Sequence, residues 1–319
     1  MSFWLTGGAI ALSCFALVFT ATSLLSAVCS PALFRRIARY APSTRARLLF
    51  QWRMLPAAIG LAWAIGVALP IYLAYEPRDN SDEIMARTLI ACALAGGALL
   101  IRGTWRAASA WRATTRLMRD WRARGRRLHG FEASIPVFAI EESFPTVAVV
   151  GFSRPALFIA ERVLRECTPD EVRAMVLHEC AHVTHRDNLK RFLIRACPDV
   201  LRPDATFDRA WSRATEEAAD ARAVAANPGF ALELAQALIR VARLAPQPST
   251  LELASAFYLG GSIESRVRQL VEPANSLPDP SRPLGCVMAL TAVAMFAALV
   301  FAGAATIHQV MEAAVRVLP

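Results

Sequence analysis

Three of the five histidines in this 319-residue chain fall in one stretch, His178-Glu179-Cys180-Ala181-His182-Val183-Thr184-His185. Four residues of α-helix advance almost one turn, so His178 and His182 project the same way and can share one Zn²⁺. Glu179 stands one step round the helix, beside the metal rather than on it, where a carboxylate can take a proton from water. At ordinary residue frequencies this His-Glu-x-x-His pattern arises by accident in roughly 1% of chains of this length. That weighs against a chance match on an amphipathic core helix.

Two histidines do not complete a catalytic zinc site, which takes a third protein ligand and leaves a position open. The stretch Glu216-Glu217-Ala218-Ala219-Asp220 supplies candidates. Glu216 and Asp220 are four apart, so their carboxylates face the same way. One can bind the metal while the other accepts a hydrogen bond from a ligating imidazole. The competing view, an exposed acidic patch on a helix that also carries Arg213 and Arg222, loses weight because of the histidine pair upstream.

The elements that must hold these residues are readable in part. Thr168 as N-cap, Pro169 at the first helical position and Glu171 three residues on form a capping box at the start of the histidine helix. Val172, Met175 and Val176 give that helix an apolar face. Before it, Ile135–Ile140, Thr146–Gly151 and Arg154–Ala160 read as strands, and Glu161–Glu166 as a short helix. Thr146–Gly151 and Pro155–Ala160 are candidate edges for pairing with a peptide. After it, helices are expected at Asn188–Ala196, Phe207–Ala226, Phe230–Leu244 and Leu251–Tyr258.

The rest of the chain is too apolar for a soluble protein of this size: 55% of its residues are hydrophobic and its mean hydropathy is +0.37. Phe3–Val28 and Met54–Tyr75 are uncharged and long enough to span a bilayer, and Leu284–Ile307 is another such stretch. Thr88–Ile101 is short, but Arg87 and Arg102 can snorkel from its ends. The formal charge of +9 is concentrated in arginines at 35–53 and 106–127. By the positive-inside rule both clusters face the cytoplasm, the acidic loop at 76–83 faces out, and both termini are outside. The second cluster, with Trp105, Trp111 and Trp121, is expected to continue as a helix along an anionic inner leaflet. It lacks a nucleic-acid-binding motif, and no nucleic-acid partner is expected. Seven scattered cysteines without a C-x-x-C pair argue against a disulfide framework.

With three N-terminal spans, a cytoplasmic H-E-x-x-H domain and one further span, most of the chain resembles the BlaR/MecR-type membrane zinc metallopeptidases, known as β-lactam sensor-transducers, most strongly over Gly151–Ala225. The likeness rests on R-P-x-x-F-I at Arg154–Ile159, H-E-C-A-H-V-T-H-R-D at His178–Asp187 and E-E-A-A-D at Glu216–Asp220. It implies that Glu216, rather than Glu217, is the third zinc ligand and that Asp220 supports a zinc histidine. His185, Arg186 and Asp187 match family positions without an assigned catalytic step, and ending the helix and pairing with neighbours is at least as good a role for them. Glu217, pointing elsewhere on its helix, is expected to contribute little to zinc binding or cleavage. The sensor-transducers carry a penicillin-binding-like domain after their last span. Only residues 308–319 follow here, so antibiotic sensing by this polypeptide alone is not expected.

The expected architecture is a mainly α membrane protein with four transmembrane helices and an inserted α+β gluzincin-like zinc protease domain. Residues 1–127 form the membrane region and basic helix, 128–272 the cytoplasmic protease domain, 273–283 a linker and 284–319 the last span and tail. The expected activity is Zn²⁺-dependent endoproteolysis, with His178, His182 and Glu216 on the metal, Glu179 as base and Asp220 behind a histidine. The substrate would be a cytoplasmic protein, such as a repressor, or the chain itself. Two alternatives remain: an HtpX-type quality-control peptidase, and a non-catalytic membrane adaptor keeping the protease fold. The topology is directly testable. A reporter fused at Ser276 should behave as cytoplasmic, and an outer location would remove the third span from the scheme.

Overall fold

The computed structural model describes residues 3–76, 87–197, 205–244, 263–272 and 309. Among these, three helical stretches are long and apolar enough to cross a membrane: Phe3–Ile37, Pro42–Tyr75 and Arg87–Arg124. The fourth expected span, Leu284–Ile307, lies outside the described residues, as do the expected helix Leu251–Tyr258 and the linker at 273–283. The marginal third span is one continuous helix with the basic segment that follows it.

The first stretch is α1 (Phe3–Ile37). The second consists of α2 (Pro42–Trp63), a π-helical turn at Ala64–Ala68 and α3 (Leu69–Tyr75). The wide turn has a local cause. Pro70 has no N–H to offer the carbonyl four residues back, and Leu69 N bonds instead to Ala64 O. The basic segment at 35–53, expected as a loop, is mostly helical: α1 runs to Ile37 and α2 begins at Pro42, so most of its arginines ride on helix ends. Side chains such as Leu5, Val28, Ile65, Leu94 and Ile101 are exposed along these helices, as a hydrocarbon environment permits.

The third stretch is α4 (Arg87–Arg124), and it crosses α1 at a close approach. A Cβ placed on Gly96 would stand 2.2 Å from the carbonyl oxygen of Leu12, whereas one on Gly97 would meet nothing within 4 Å. Trp121, expected beside Trp105 and Trp111 at the membrane interface, instead packs edge-on against Phe158 with ring centroids 5.2 Å apart. Its indole N–H donates to Glu142 Oε1 at 3.1 Å. Trp105 and Trp111 are exposed.

A four-stranded sheet follows, built from β1 (Arg126–Leu128), β2 (Val137–Ile140), β3 (Val147–Val150) and β4 (Ala156–Ala160) in the order β1-β2-β4-β3. β2 and β4 are parallel, and the outer pairs are antiparallel. β1 lies where the basic helix was expected to run on. β4 is buried along its whole length, so Pro155–Ala160 offers no edge to a peptide; β3 does.

One sheet face meets the C-terminal end of α4 through Phe138, Phe158, Met118 and Trp121. The other, with Val137, Val147, Leu157 and Ile159, packs against three helices. These are α6 (Pro169–His185), which follows the short α5 (Glu161–Glu166), α9 (Phe230–Leu244) and α10 (Ile263–Val271). α7 (Asp187–Ala196) and α8 (Ala205–Ala226) lie between this domain and the membrane helices. Phe207 and Trp211 of α8 and Ile194 of α7 share a core with Ile37, Ala46 and Leu49.

Glu217 belongs to that junction. It is buried and paired with Arg45 of α2 and with Arg213, whose Nε donates to Glu217 Oε1 at 2.8 Å. Glu217 therefore has a structural part that its sequence position did not reveal: it ties α8 to α2. The α1–α4 crossing makes a paired prediction. Gly96→Ala should lower the melting temperature in detergent by an amount corresponding to about 1–3 kcal/mol, because a backbone carbonyl cannot move aside cheaply. Gly97→Ala should leave it unchanged or raise it slightly, since alanine is the better helix former.

Candidate active site

The capping box expected at the start of α6 is present. Glu171 N donates to Thr168 Oγ1 at 3.2 Å, and Thr168 N donates to Glu171 Oε2 at 2.7 Å. Glu171 is buried, and its other oxygen takes Arg240 Nε at 3.2 Å, which fastens α9 to the start of α6. With Val172, Met175 and Val176 facing the core, the helix can hold its far end, with the histidines, against β3 and α8.

His178 and His182 present their Nε2 atoms to one another at 3.2 Å, with ring planes at 86°. The Glu216 carboxylate reaches both: Oε2 is 3.4 Å from His178 Nε2, and Oε1 is 3.7 Å from His182 Nε2. Behind each ring stands an aspartate. Asp220 Oδ1 lies 2.8 Å from His178 Nδ1, and Asp187 Oδ2 lies 2.9 Å from His182 Nδ1. Glu179 also has an oxygen within 4.8 Å of the imidazole nitrogens, but its Oε2 accepts the Val149 N–H at 3.0 Å. It sits to the side, tied to strand β3. Glu216, Glu217 and Asp220 are all buried, so the alternative of an exposed acidic patch fails.

Two residues of this cluster had no part in the metal site expected from the sequence. Asp187 reaches His182 because α6 stops at Arg186 in the left-handed conformation, φ 55° and ψ 39°. Among the described residues Arg186 is the only non-glycine with positive φ, a conformation that costs about 1–2 kcal/mol. The turn brings Asp187 back under the last turn of α6. The H-x-x-x-x-D spacing was a usable signal, since five residues with a tight turn between them can bring a carboxylate to an imidazole. Arg266 had no comparable signal. It comes from α10, is 2% exposed, and grips Asp220 through Nε at 2.8 Å and Nη2 at 2.7 Å, with Nη1 3.1 Å from Glu216 Oε2.

The electrostatics follow from burial. Burial disfavours a charged imidazole, but Asp220 and Glu216 outweigh it and hold His178 protonated up to about 9. Burial raises the Glu216 carboxyl, yet the histidines and Arg266 hold it well below the usual carboxylate range. Asp220 and Asp187 are likewise lowered against their own burial, the first chiefly by Arg266 and the second by His182. Glu179 moves the other way: burial raises it, more than the histidines and the Val149 N–H pull it down. Four buried carboxylates thus surround two imidazoles and one buried guanidinium.

This donor set suits zinc. Two ring nitrogens and a carboxylate converge, both rings are oriented by carboxylates on their far sides, and the acidic excess favours a cation. No protein-family model and no curated protein matches the chain. Among solved structures, the crystal structure of S. mikatae Ste24p aligns with 82% of this chain and 98% of its own, at 12% identity and a TM-score of 0.32. That likeness is too slight to carry an argument.

The aspartates behind the rings predict matched effects. Asp187→Asn and Asp220→Asn should each weaken zinc binding roughly 10–100-fold, measured by competition with a chromogenic chelator. Undiminished affinity in Asp187→Asn would show that its contact with His182 does not orient that ring.

Proposed function

We propose that the chain is an integral-membrane zinc metalloendopeptidase of the BlaR/MecR-like kind, cutting a cytoplasmic regulatory protein or itself. The observation that carries this reading is the convergence of His178 Nε2, His182 Nε2 and the Glu216 carboxylate, with Asp220 and Asp187 behind the two rings. Three helices long and apolar enough to cross a membrane support the membrane part of the reading.

His178, His182 and Glu216 would hold the ion, and when bound zinc supplies Lewis acidity that polarises a scissile carbonyl and acidifies water. Glu179 then has a defined task. Its carboxylate, aimed by the Val149 N–H, takes the proton of the attacking water and delivers it to the departing amine. Burial raises its carboxyl, which favours taking up the proton. Asp220 and Asp187 would orient the two histidine rings from their Nδ1 sides, and Arg266 holds Asp220 and Glu216 in place.

The test separates metal from base. Purified protein should carry close to one zinc per chain, and His182→Ala should lose most of it. Glu179→Gln should keep zinc and melting temperature while cleavage falls by at least roughly 10²-fold, because glutamine matches the shape but cannot take the proton. Normal cleavage by Glu179→Gln, or stoichiometric zinc in His182→Ala, would overturn the reading.

A further inference from the structure

Beside the base lies a second feature that the hydrolytic residues do not use. Strand β3 leads into it. Ala160 N bonds to Thr146 O at 2.8 Å, which makes that pair a bonded one, so the backbone groups of Val147, Val149 and Gly151 point away from β4. At Val149 the outward N–H meets Glu179. The outward carbonyls of Val149 and Gly151 accept Asn188 Nδ2 at 2.9 and 3.0 Å. Two or three residues beyond Val149, roughly 7–10 Å along the strand, the chain opens into a cavity of about 140 Å³ between α4, Gly151-Phe152 and α7.

The chemistry of that cavity is specific. Phe152 and Phe192 stack at 4.7 Å and give it an aromatic wall, and Arg191 and Arg195 of α7 line it. Neither arginine has a carboxylate partner among the described residues, and Arg191 lies with Cζ 5.8 Å from the centroid of the Trp211 ring. Elsewhere in the domain the buried acids each hold a cation: Glu171 has Arg240, Glu217 has Arg45 and Arg213, Asp220 has Arg266, and Asp187 has Lys190. Arg191 is half-buried and Arg195 exposed, and both line the cavity that Val149, the residue whose N–H holds Glu179, also lines. A lipid phosphate is the poorer occupant. Ala110 and Thr114, which line the cavity, lie nine and thirteen residues past Ile101, roughly 14–20 Å beyond the uncharged part of α4.

We propose that this cavity is the subsite for an acidic side chain of the substrate, so that the peptide cut by this chain carries Asp or Glu within about three residues of the scissile bond. The proposal rests on the protease reading above. A peptide whose scissile bond lies beside Glu179 and that runs in the direction of β3 would reach the cavity at that distance. Its carboxylate would meet two guanidinium groups, and its side-chain stem the Phe152–Phe192 wall.

The experiment digests a proteome-derived peptide library with the zinc-loaded full chain in detergent and reads the cut sites by mass spectrometry. Wild type should show Asp or Glu enriched at one fixed position within three residues of the cut. Arg191→Gln/Arg195→Gln should lower the ratio of acidic to neutral cuts roughly ten- to hundredfold, the range for one or two charge-assisted contacts. Because Arg191 also touches Trp211, Arg195→Gln alone is included and should lower the same ratio at unchanged melting temperature. In parallel, a Glu-containing peptide and its Gln twin are bound to Glu179→Gln by fluorescence polarisation, and the Glu form should bind roughly tenfold tighter. Cleavage without acid enrichment, or enrichment unchanged in both variants, overturns the subsite and leaves the protease reading standing. Variants that lose binding to phosphatidylserine vesicles while their cut profile stays that of wild type would assign the cavity to lipid and overturn it too. No cleavage by wild type together with no peptide bound by Glu179→Gln would overturn the protease reading, and this subsite with it.

Discussion

The Glu216 carboxylate faces two imidazole nitrogens that are themselves 3.2 Å apart, and it is buried. A buried carboxylate without compensation costs several kcal/mol, so its surroundings must supply positive charge and donors. Much of the domain can be understood as that supply. α10 crosses the end of the site to bring Arg266, and Asp220 then needs Arg266 and His178 together. The price in folding is that helices far apart in sequence, α6, α8 and α10, must all be in place before every one of these charges is satisfied. Binding a divalent cation would relieve the remaining negative excess, which links metal occupancy to stability.

The same helix that carries Glu216 faces the membrane region with its next residue. Glu216 points into the site and Glu217 towards Arg45 of α2, because adjacent positions on a helix are about 100° apart. Around Glu217, Phe207 and Trp211 pack with residues at the ends of α1 and α2. The site is thus mounted on the membrane helices directly, through packed side chains. α4 adds a second mount: its final turns cover one face of the sheet, and its middle borders α7.

Strand β3 links the proposed base to the proposed subsite. Its inward groups are spent on β4, while its outward groups are engaged by Glu179 and Asn188 at Val149 and Gly151. An edge strand with all its groups open invites pairing with any passing chain. Here two side chains occupy part of the edge, one of them the proposed base, so the edge is guarded at the place where chemistry would occur.

Local patterns were enough for a good deal of this protein. The Thr168 capping box, the helical spacing of His178 and His182, the strands around Val137, Val147 and Ala156, and the apolar lengths of the first helices all depend on neighbours within a few residues, which sequence displays. Spacing also placed Glu216 and Asp220 on one helix face, but their meeting with the histidines joins two helices and required the fold. What sequence could not display were partnerships between distant segments. Arg266 belongs to an unremarkable amphipathic stretch until α10 is laid across α8. Trp121 looked interfacial because arginines flank it, yet the sheet behind it offered a drier place for its ring and Glu142 for its N–H. Pro155–Ala160 has the composition of any strand, and only the sheet order made it central rather than an edge. Glu217 differs from Glu216 by one residue and a rotation about the helix axis, and tertiary packing alone decided that the first faces a membrane helix and the second two histidines.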